Sequence, residues 1–368
     1  MTLQMSFMIT PEKFIRTLTT LKIFINNSLG IDPQVRPLNG FHFNRDLLEA
    51  AMANTYLETV GEKSDTLYKS IKQIRFDQIT HSMLDVTTLL SKRFSWETSS
   101  CTLAFDYTDE DFFGDVQGFY IYGWTGKQGI TGKFKFLTCS IVASTTGQRI
   151  PLLSVPIMLG HSMSKEIMYC LSLLRPILPT VDLVLFDRGF YCKELMDELS
   201  KAQIPYLIFI PKNEQIESEL ETMKDKEQKI KLYPFEYKKD KTTHKSQTYQ
   251  AFLKAIYCKD LDKELDWAFA TNVEEIKLES IITTYKQRWN IETGFRIQDE
   301  ATIKCKSTDM TIRYFLFVYE QILQMIWGCF YKEEVSFKRF LIDISKTCNE
   351  QVANAPKAPP QITAKRQG

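Results

Sequence analysis

Up to about residue 97, apolar residues recur at intervals of three and four over Pro11–Ser28, Arg45–Val60 and Ser64–Ile79. That spacing lines one face of a helix and predicts a small all-helical unit over residues 1–97. From Ser99 the rhythm shortens into β-rich runs, Cys101–Tyr107, Gly118–Gly123, Lys133–Val142 and Arg149–Met158, with glycine turns at Thr125-Gly126 and Thr146-Gly147. Met163–Ile177 then reads as an amphipathic helix, Val181–Phe186 as a continuously apolar strand, Cys192–Ala202 as a helix and Tyr206–Ile210 as a second apolar strand. Between Lys212 and Asp266 the chain turns polar and irregular, with strands expected around Lys229–Tyr233, Thr248–Tyr257 and Trp267–Ala270. Helices resume over Glu274–Arg296 and Thr311–Tyr331. From Asn349 onward, with Pro356, Pro359 and Pro360, the pattern reads as a disordered tail.

Several strands followed by helix, strand, helix, strand predict antiparallel strands joined to β-α-β crossovers, hence a mixed sheet with helices on its faces. The fold class expected is α/β with a ribonuclease-H-like layout. It occupies residues 98–335, with a β-rich insertion at about 212–268, between the helical unit and a C-terminal helix remnant and tail over 336–368.

Composition narrows the setting. At 44% hydrophobic and 25% charged residues, the 368-residue chain has ample apolar surface for a large core. A net charge of +1, from 46 basic and 45 acidic residues, means that a nucleic acid could be held only by local patches. Met1–Thr10 lacks the features of a secretory signal, and the apolar stretch Tyr314–Tyr331 carries Glu320, Gln321 and Gln324, so it reads as a buried helix and no membrane is expected. The eight cysteines form no C-x-x-C pair and do not cluster with the four histidines, which favours free thiols in a reducing cytoplasm.

Asp106 follows the apolar run Thr102–Phe105, and Asp187 follows Leu183–Phe186. An aspartate after a strand suits a turn or a helix cap, but two on neighbouring strands of an α/β sheet would face one cleft at the strands' carboxyl ends. In the predicted helix beyond, Tyr285, Arg288 and Glu292 fall within about 60° of one another and Arg296 returns to the same line. The spacing equally describes an ordinary i,i+4 ion pair, with Trp289, Ile291 and Phe295 as the buried face. Three carboxylates are hard oxygen ligands suited to Mg²⁺ or Mn²⁺. Two such ions about 4 Å apart serve in-line phosphodiester displacement, with arginines beside them offsetting phosphate charge. Elsewhere, Lys69, Lys72 and Arg75 would form a stripe along one helix. Lys229, Lys231, Lys238, Lys239, Lys241 and Lys245 form the most basic window, read equally well as a DNA-backbone contact or a solvated hairpin. Asp109, Glu110, Asp111 and Asp115 read as an acidic loop, Trp267 as a core residue in preference to a base-stacking one, and the histidines take no role.

Ala104-Phe105-Asp106-Tyr107-Thr108, Asp187-Arg188-Gly189-Phe190-Tyr191 and Tyr285-x2-Arg288-Trp289-x-Ile291-Glu292 with Phe295-Arg296 resemble the DDE motifs of insertion-sequence transposases. The group resembled carries a Y-x2-R-x3-E-x6-K signature and includes archaeal-type members. Thr271-Asn272 and Arg313–Trp327 are similar to it too, and the resemblance spans about Ser99–Tyr331. It implies a ribonuclease-H-like core with an insertion between the second and third acids, and cut-and-paste transposition with two divalent metals, Mg²⁺ or Mn²⁺, and hairpins at the excised ends. Asp106, Asp187 and Glu292 would then be the catalytic, metal-binding triad. Tyr285 and Arg288 would contact DNA phosphate; the N-terminal residues match the group only in being helical, and beside the resemblance Arg296, Lys238, Lys239 and Lys241 are expected as further DNA contacts and the helical unit over 1–97 as a DNA-binding domain. The partners implied are double-stranded DNA, as terminal inverted repeats and target, and a second copy in a synaptic homodimer, in a nucleoid-associated cytoplasmic setting. One position departs from the signature: where Lys is expected seven residues past Glu292, this chain has Asp299, and Arg296 one turn earlier is the cation placed to substitute. A stand-alone nuclease or a non-catalytic DNA-binding descendant would share these residues and differ in end binding, cleavage and strand joining.

Overall fold

The computed structural model describes residues 11–32, 39–96, 100–123, 126, 129–239, 247–259, 261 and 266–354, with the backbone alone for 11, 39, 233–239 and 247–253. Five helices come first: α1 Pro11–Leu29, α2 Asn39–Ala53, α3 Leu57–Val60, α4 Ser64–Ile71 and α5 Phe76–Phe94. The expected third helix is thus two. Lys72 already lies past the end of α4, and Arg75 is extended at φ −97°, ψ 156° and forks onto Asp77. Lys69, Lys72 and Arg75 therefore do not form a stripe along one helix.

The strands are β1 Cys101–Phe112, β2 Ile121–Gly123, β3 Gly132–Ser144, β4 Ile150–Pro156, β5 Leu183–Phe186, β6 Tyr206–Phe209, β7 Gln228–Lys239, β8 Gln247–Cys258 and β9 Trp267–Thr271. They form one nine-stranded sheet ordered β2-β3-β1-β5-β6-β9-β8-β7, with β4 also on β3. β4, β3 and β1 run antiparallel, whereas β1, β5 and β6 run parallel through the crossover helices α6 Met163–Leu174 and α7 Lys193–Lys201. This is the ribonuclease-H-like arrangement expected of the chain. The β-rich segment beyond Lys212 extends that sheet, since β9 pairs antiparallel with β6 and with β8. Thr271 and Asn272 close the joint: the Thr271 hydroxyl donates to the Tyr206 carbonyl, and Asn272 bonds the Tyr206 N–H and the Ile204 carbonyl.

Other elements differ from expectation as well. β1 continues past Asp106 to Phe112, because β3 pairs with it along its whole length; Asp109, Glu110 and Asp111 are strand residues and not a loop. Asp109 meets Lys133 and Lys135, and Glu110 meets Arg313. At the other end, α12 runs Phe337–Asn354 and buries Phe337, Phe340, Leu341, Ile344 and Cys348. It packs against α1 and α2, so it is a full helix of the bundle, and the expected tail from Asn349 is helical as far as Asn354. Residues 355–368 lie outside the described residues.

The apolar interior has two parts. The larger runs unbroken from Phe14, Leu47 and Leu90 of the helices through α11 Met310–Phe330 to Leu103, Phe105 and Cys139 of the sheet. The smaller gathers Ala104, Val142, Leu185, Leu207, Trp267 and Phe269 beneath Tyr285 and Ile291. Strand alternation puts Asp106 on the same face as Ala104, over this second core. α11 is buried at Met310 and from Ile312 to Trp327. No helix among the described residues is long and apolar enough to cross a membrane. Within α11, Tyr314 reaches Thr80 and the Ser154 carbonyl, and Gln321 bonds Ser154, Thr138 and Gln298. Such a buried polar network is stabilising only when its groups are paired, and this one ties the bundle to the sheet.

Candidate active site

β1 and β5 are parallel neighbours whose last paired residues are Phe105 and Phe186. The next residue on each is an aspartate, so register alone puts Asp106 and Asp187 side by side where β5 ends. Asp106 accepts the Tyr107 N–H at 2.8 Å, and Asp187 caps a 3₁₀ turn, Arg188–Phe190, by accepting the Arg188 N–H at 2.5 Å. Tyr107 stacks on Phe190 at 4.9 Å and Phe105 on Phe186 at 5.6 Å, which fixes the backbone behind both acids.

The third acid comes from a helical segment that tightens in its middle. α9 Ile281–Lys286 and α10 Trp289–Gln298 are joined through Gln287 and Arg288, which stay in αR geometry but make i→i+3 bonds, Arg288 N–H to Tyr285 and Ile291 N–H to Arg288. Arg288 is 5% exposed and spans the cluster: one terminal nitrogen is 3.3 Å from Asp106 and the other 2.8 Å from Glu292. The Arg288–Glu292 contact is therefore more than a surface i,i+4 pair. Tyr285, 2% exposed, has its ring among Phe209, Trp267 and Phe269, with the Arg288 guanidinium over it at 5.9 Å. Trp267 is thereby a core residue, as expected.

Burial pushes the Asp106 carboxyl up from its ordinary 3.8 to about 6; the negative charges of Glu292 and Asp187 add to this, while Arg288 and the Tyr107 N–H oppose it. Burial likewise pushes the Tyr285 hydroxyl up, so it is neutral.

Of the residues singled out in the sequence, Asp106, Asp187, Tyr285, Arg288 and Glu292 converge. Arg296 is exposed in the last turn of α10. Lys238 and Lys239 lie on β7, where only the backbone is described, and Lys241 and Lys245 lie outside the described residues. Lys229 and Lys231 both pair with Glu219 of α8 Glu214–Glu221, at 3.2 and 2.6 Å. Trp289, expected on the buried face, is 39% exposed with Lys286 over its ring; Ile291 alone of the three apolar neighbours is fully covered.

Sequence reasoning missed what holds α10 in place. The Gln298 side chain donates to Glu320, which also accepts the Ile303 N–H at 2.6 Å, and the Gly294 carbonyl accepts from Gln324 at 2.9 Å. A Cβ on Gly294 would stand 3.2 Å from that Gln324 nitrogen, so glycine permits the close crossing of α10 and α11. Polar residues inside the otherwise apolar α11 were the available signal.

A divalent cation such as Mg²⁺ or Mn²⁺ needs hard oxygen donors around it. Among the described residues no three Asp, Glu, His or Cys side chains form a ready-made metal cluster. The chemistry nonetheless suits a hard cation: an all-oxygen set, drawn together by a guanidinium that supplies positive charge between two of its acids.

The chain belongs to the transposase DDE domain family, whose model matches residues 98–299. Its fold is similar to that of piggyBac transposase in a cryo-EM synaptic complex with hairpin DNA, with a TM-score of 0.53 at 12% identity over 97% of this chain and 84% of that one. A comparison with curated proteins finds no significant match.

Proposed function

We propose that this transposase cleaves the ends of its own insertion sequence and joins the freed 3′-hydroxyls to target DNA, in a cut-and-paste reaction with hairpin intermediates. The observation that carries the reading is the meeting of Asp106 from within β1, Asp187 from the end of β5 and Glu292 from α10 around Arg288. Asp106, Asp187 and Glu292 would hold two Mg²⁺ or Mn²⁺ ions, which when bound supply activation of the attacking oxygen and stabilisation of the leaving oxygen in an in-line displacement. The chain's own contribution is placement. The parallel register of β1 and β5 sets two carboxylates at one depth, and α10, anchored through Gln298 and Gly294, sets the third. Arg288 offers a planar fork suited to a scissile phosphate, and the neutral Tyr285 hydroxyl lies against it as an uncharged donor. Arg296, exposed one turn beyond Glu292, stands in for the signature lysine replaced by Asp299, and Lys238, Lys239 and Lys241 contact the DNA backbone.

The partners proposed are double-stranded terminal-repeat and target DNA, with two copies of the chain in the synaptic assembly at the nucleoid. The helical region over 1–97 binds the repeat.

The test is a Mg²⁺- or Mn²⁺-dependent cleavage assay on DNA carrying the element's own ends, comparing the wild type with Asp187→Ala and Glu292→Ala. The expected result is cutting at the end junction by the wild type alone, followed by strand joining. End binding without cleavage would identify a DNA-binding descendant, cleavage without end specificity a stand-alone nuclease, and cleavage surviving either substitution would overturn the triad.

A further inference from the structure

We propose that Arg288 is the built-in counterion of the metal-free site, competing with divalent cations for Asp106 and Glu292 until a DNA phosphate draws its guanidinium away. The proposal rests on reading the three acids as the ion-holding set. Arg288 bonds two of the carboxylates that such an ion would need, Asp106 at 3.3 Å and Glu292 at 2.8 Å. A guanidinium does not lose its proton in a protein. A dication entering between the same two carboxylates therefore meets a fixed positive charge in a partly buried place, where water screens poorly.

The grip is incomplete, and that makes displacement feasible. The contact to Asp106 is long, and Nε is buried with no hydrogen-bond partner among the described residues. A phosphate accepts two parallel N–H bonds from one guanidinium, a better match than the divided contact in the free protein. Arg288 also sits at the tightened turn between α9 and α10, where i→i+3 bonding replaces the regular ladder. Phosphate arrival would turn Arg288 from competitor to substrate contact and free both carboxylates in one movement. Ion loading would thereby be coupled to DNA occupancy, and the free enzyme would be poorly loaded.

Titration calorimetry with Mn²⁺ on the full chain without DNA, for the wild type, Arg288→Gln and Arg288→Lys, tests the competition. Arg288→Gln is expected to bind Mn²⁺ on the order of ten-fold more tightly, the scale of effect of residues bordering metal ligands. It is also expected to melt lower than the wild type in EDTA and to gain more from Mn²⁺ in its melting temperature. Arg288→Lys, which keeps the charge but loses the fork, should fall between them. Equal or weaker Mn²⁺ binding by folded Arg288→Gln overturns the proposal. Should that variant not fold, the wild type decides: a duplex carrying the terminal repeat, corrected for Mn²⁺ bound by the duplex alone, must raise the protein's Mn²⁺ affinity, and no change refutes the coupling. If the wild type binds Mn²⁺ and cleaves but Arg288→Gln gains nothing, this inference alone fails. If no protein binds Mn²⁺ with or without DNA, the triad reading fails with it.

Discussion

Replacing Asp106 with Asn should abolish cleavage and, at neutral pH, stabilise the metal-free protein. The Asp106 carboxyl ionises at 3.8 ordinarily and at about 6 in the fold, chiefly because burial opposes its charge. A raised carboxyl contributes stability that is fully present below the unfolded value and is lost as pH rises through the folded one. Over the whole window the loss is about 3 kcal/mol, at ~1.36 kcal/mol for each unit of displacement. About 1.4 kcal/mol of it falls between pH 5 and pH 8. Asn keeps the size and an acceptor for the Tyr107 N–H, replaces the oxygen that accepts from Arg288 with an amide nitrogen, and removes the ionisation. Exchanging the neutral acid for an amide, with the loss of the acceptor for Arg288, lowers stability by an amount that does not vary across the window. Urea unfolding in EDTA at both pH values, wild type against Asp106→Asn, isolates the difference from other raised acids such as Glu166 and Glu320, which both proteins share. The variant's stability relative to wild type should rise by about 1.4 kcal/mol from pH 5 to pH 8. A difference that stays flat, or falls, refutes the claim that Asp106 is a carboxylate held in a place that resists its charge.

Glu292→Gln should lower the cleavage rate by about 10²–10³-fold with little change in folding, since Glu292 is an exposed residue of α10, and EDTA should stop the wild type as completely; single-turnover assays on end DNA read both. Glu320→Ala should cost about 3 kcal/mol in urea unfolding, because it strands the Ile303 N–H and the Gln298 amide and leaves a cavity; a cost below about 1 kcal/mol would mean that the network does not hold α10. Tyr285→Phe should change stability by less than about 1.5 kcal/mol, whereas Tyr285→Ala should cost about 3–5 kcal/mol, since the ring packs among Phe209, Trp267 and Phe269. A cleavage defect in Tyr285→Phe would then belong to the hydroxyl.

Much of this protein is written in local pattern. Short apolar runs declare β5 and β6, three-four spacing declares α1 and α6, and a long apolar stretch declares the buried helix α11, because the period of burial follows from backbone geometry. Asp106, Asp187 and Glu292 were legible for the same reason: each sits a fixed step beyond or along such an element. What the sequence could not state depends on partners distant in the chain. β1 runs on to Phe112 only because β3 pairs with it throughout, the segment beyond Lys212 joins the core sheet only because β9 lies against β6, and α12 is a full helix because α1 and α2 cover its apolar face. Arg288 shows the division most clearly. Its helical spacing to Glu292 is a sequence property, but its second carboxylate lies 182 residues away, and only the packing of α10 against β1 turns an i,i+4 neighbour into the charge at the centre of the site.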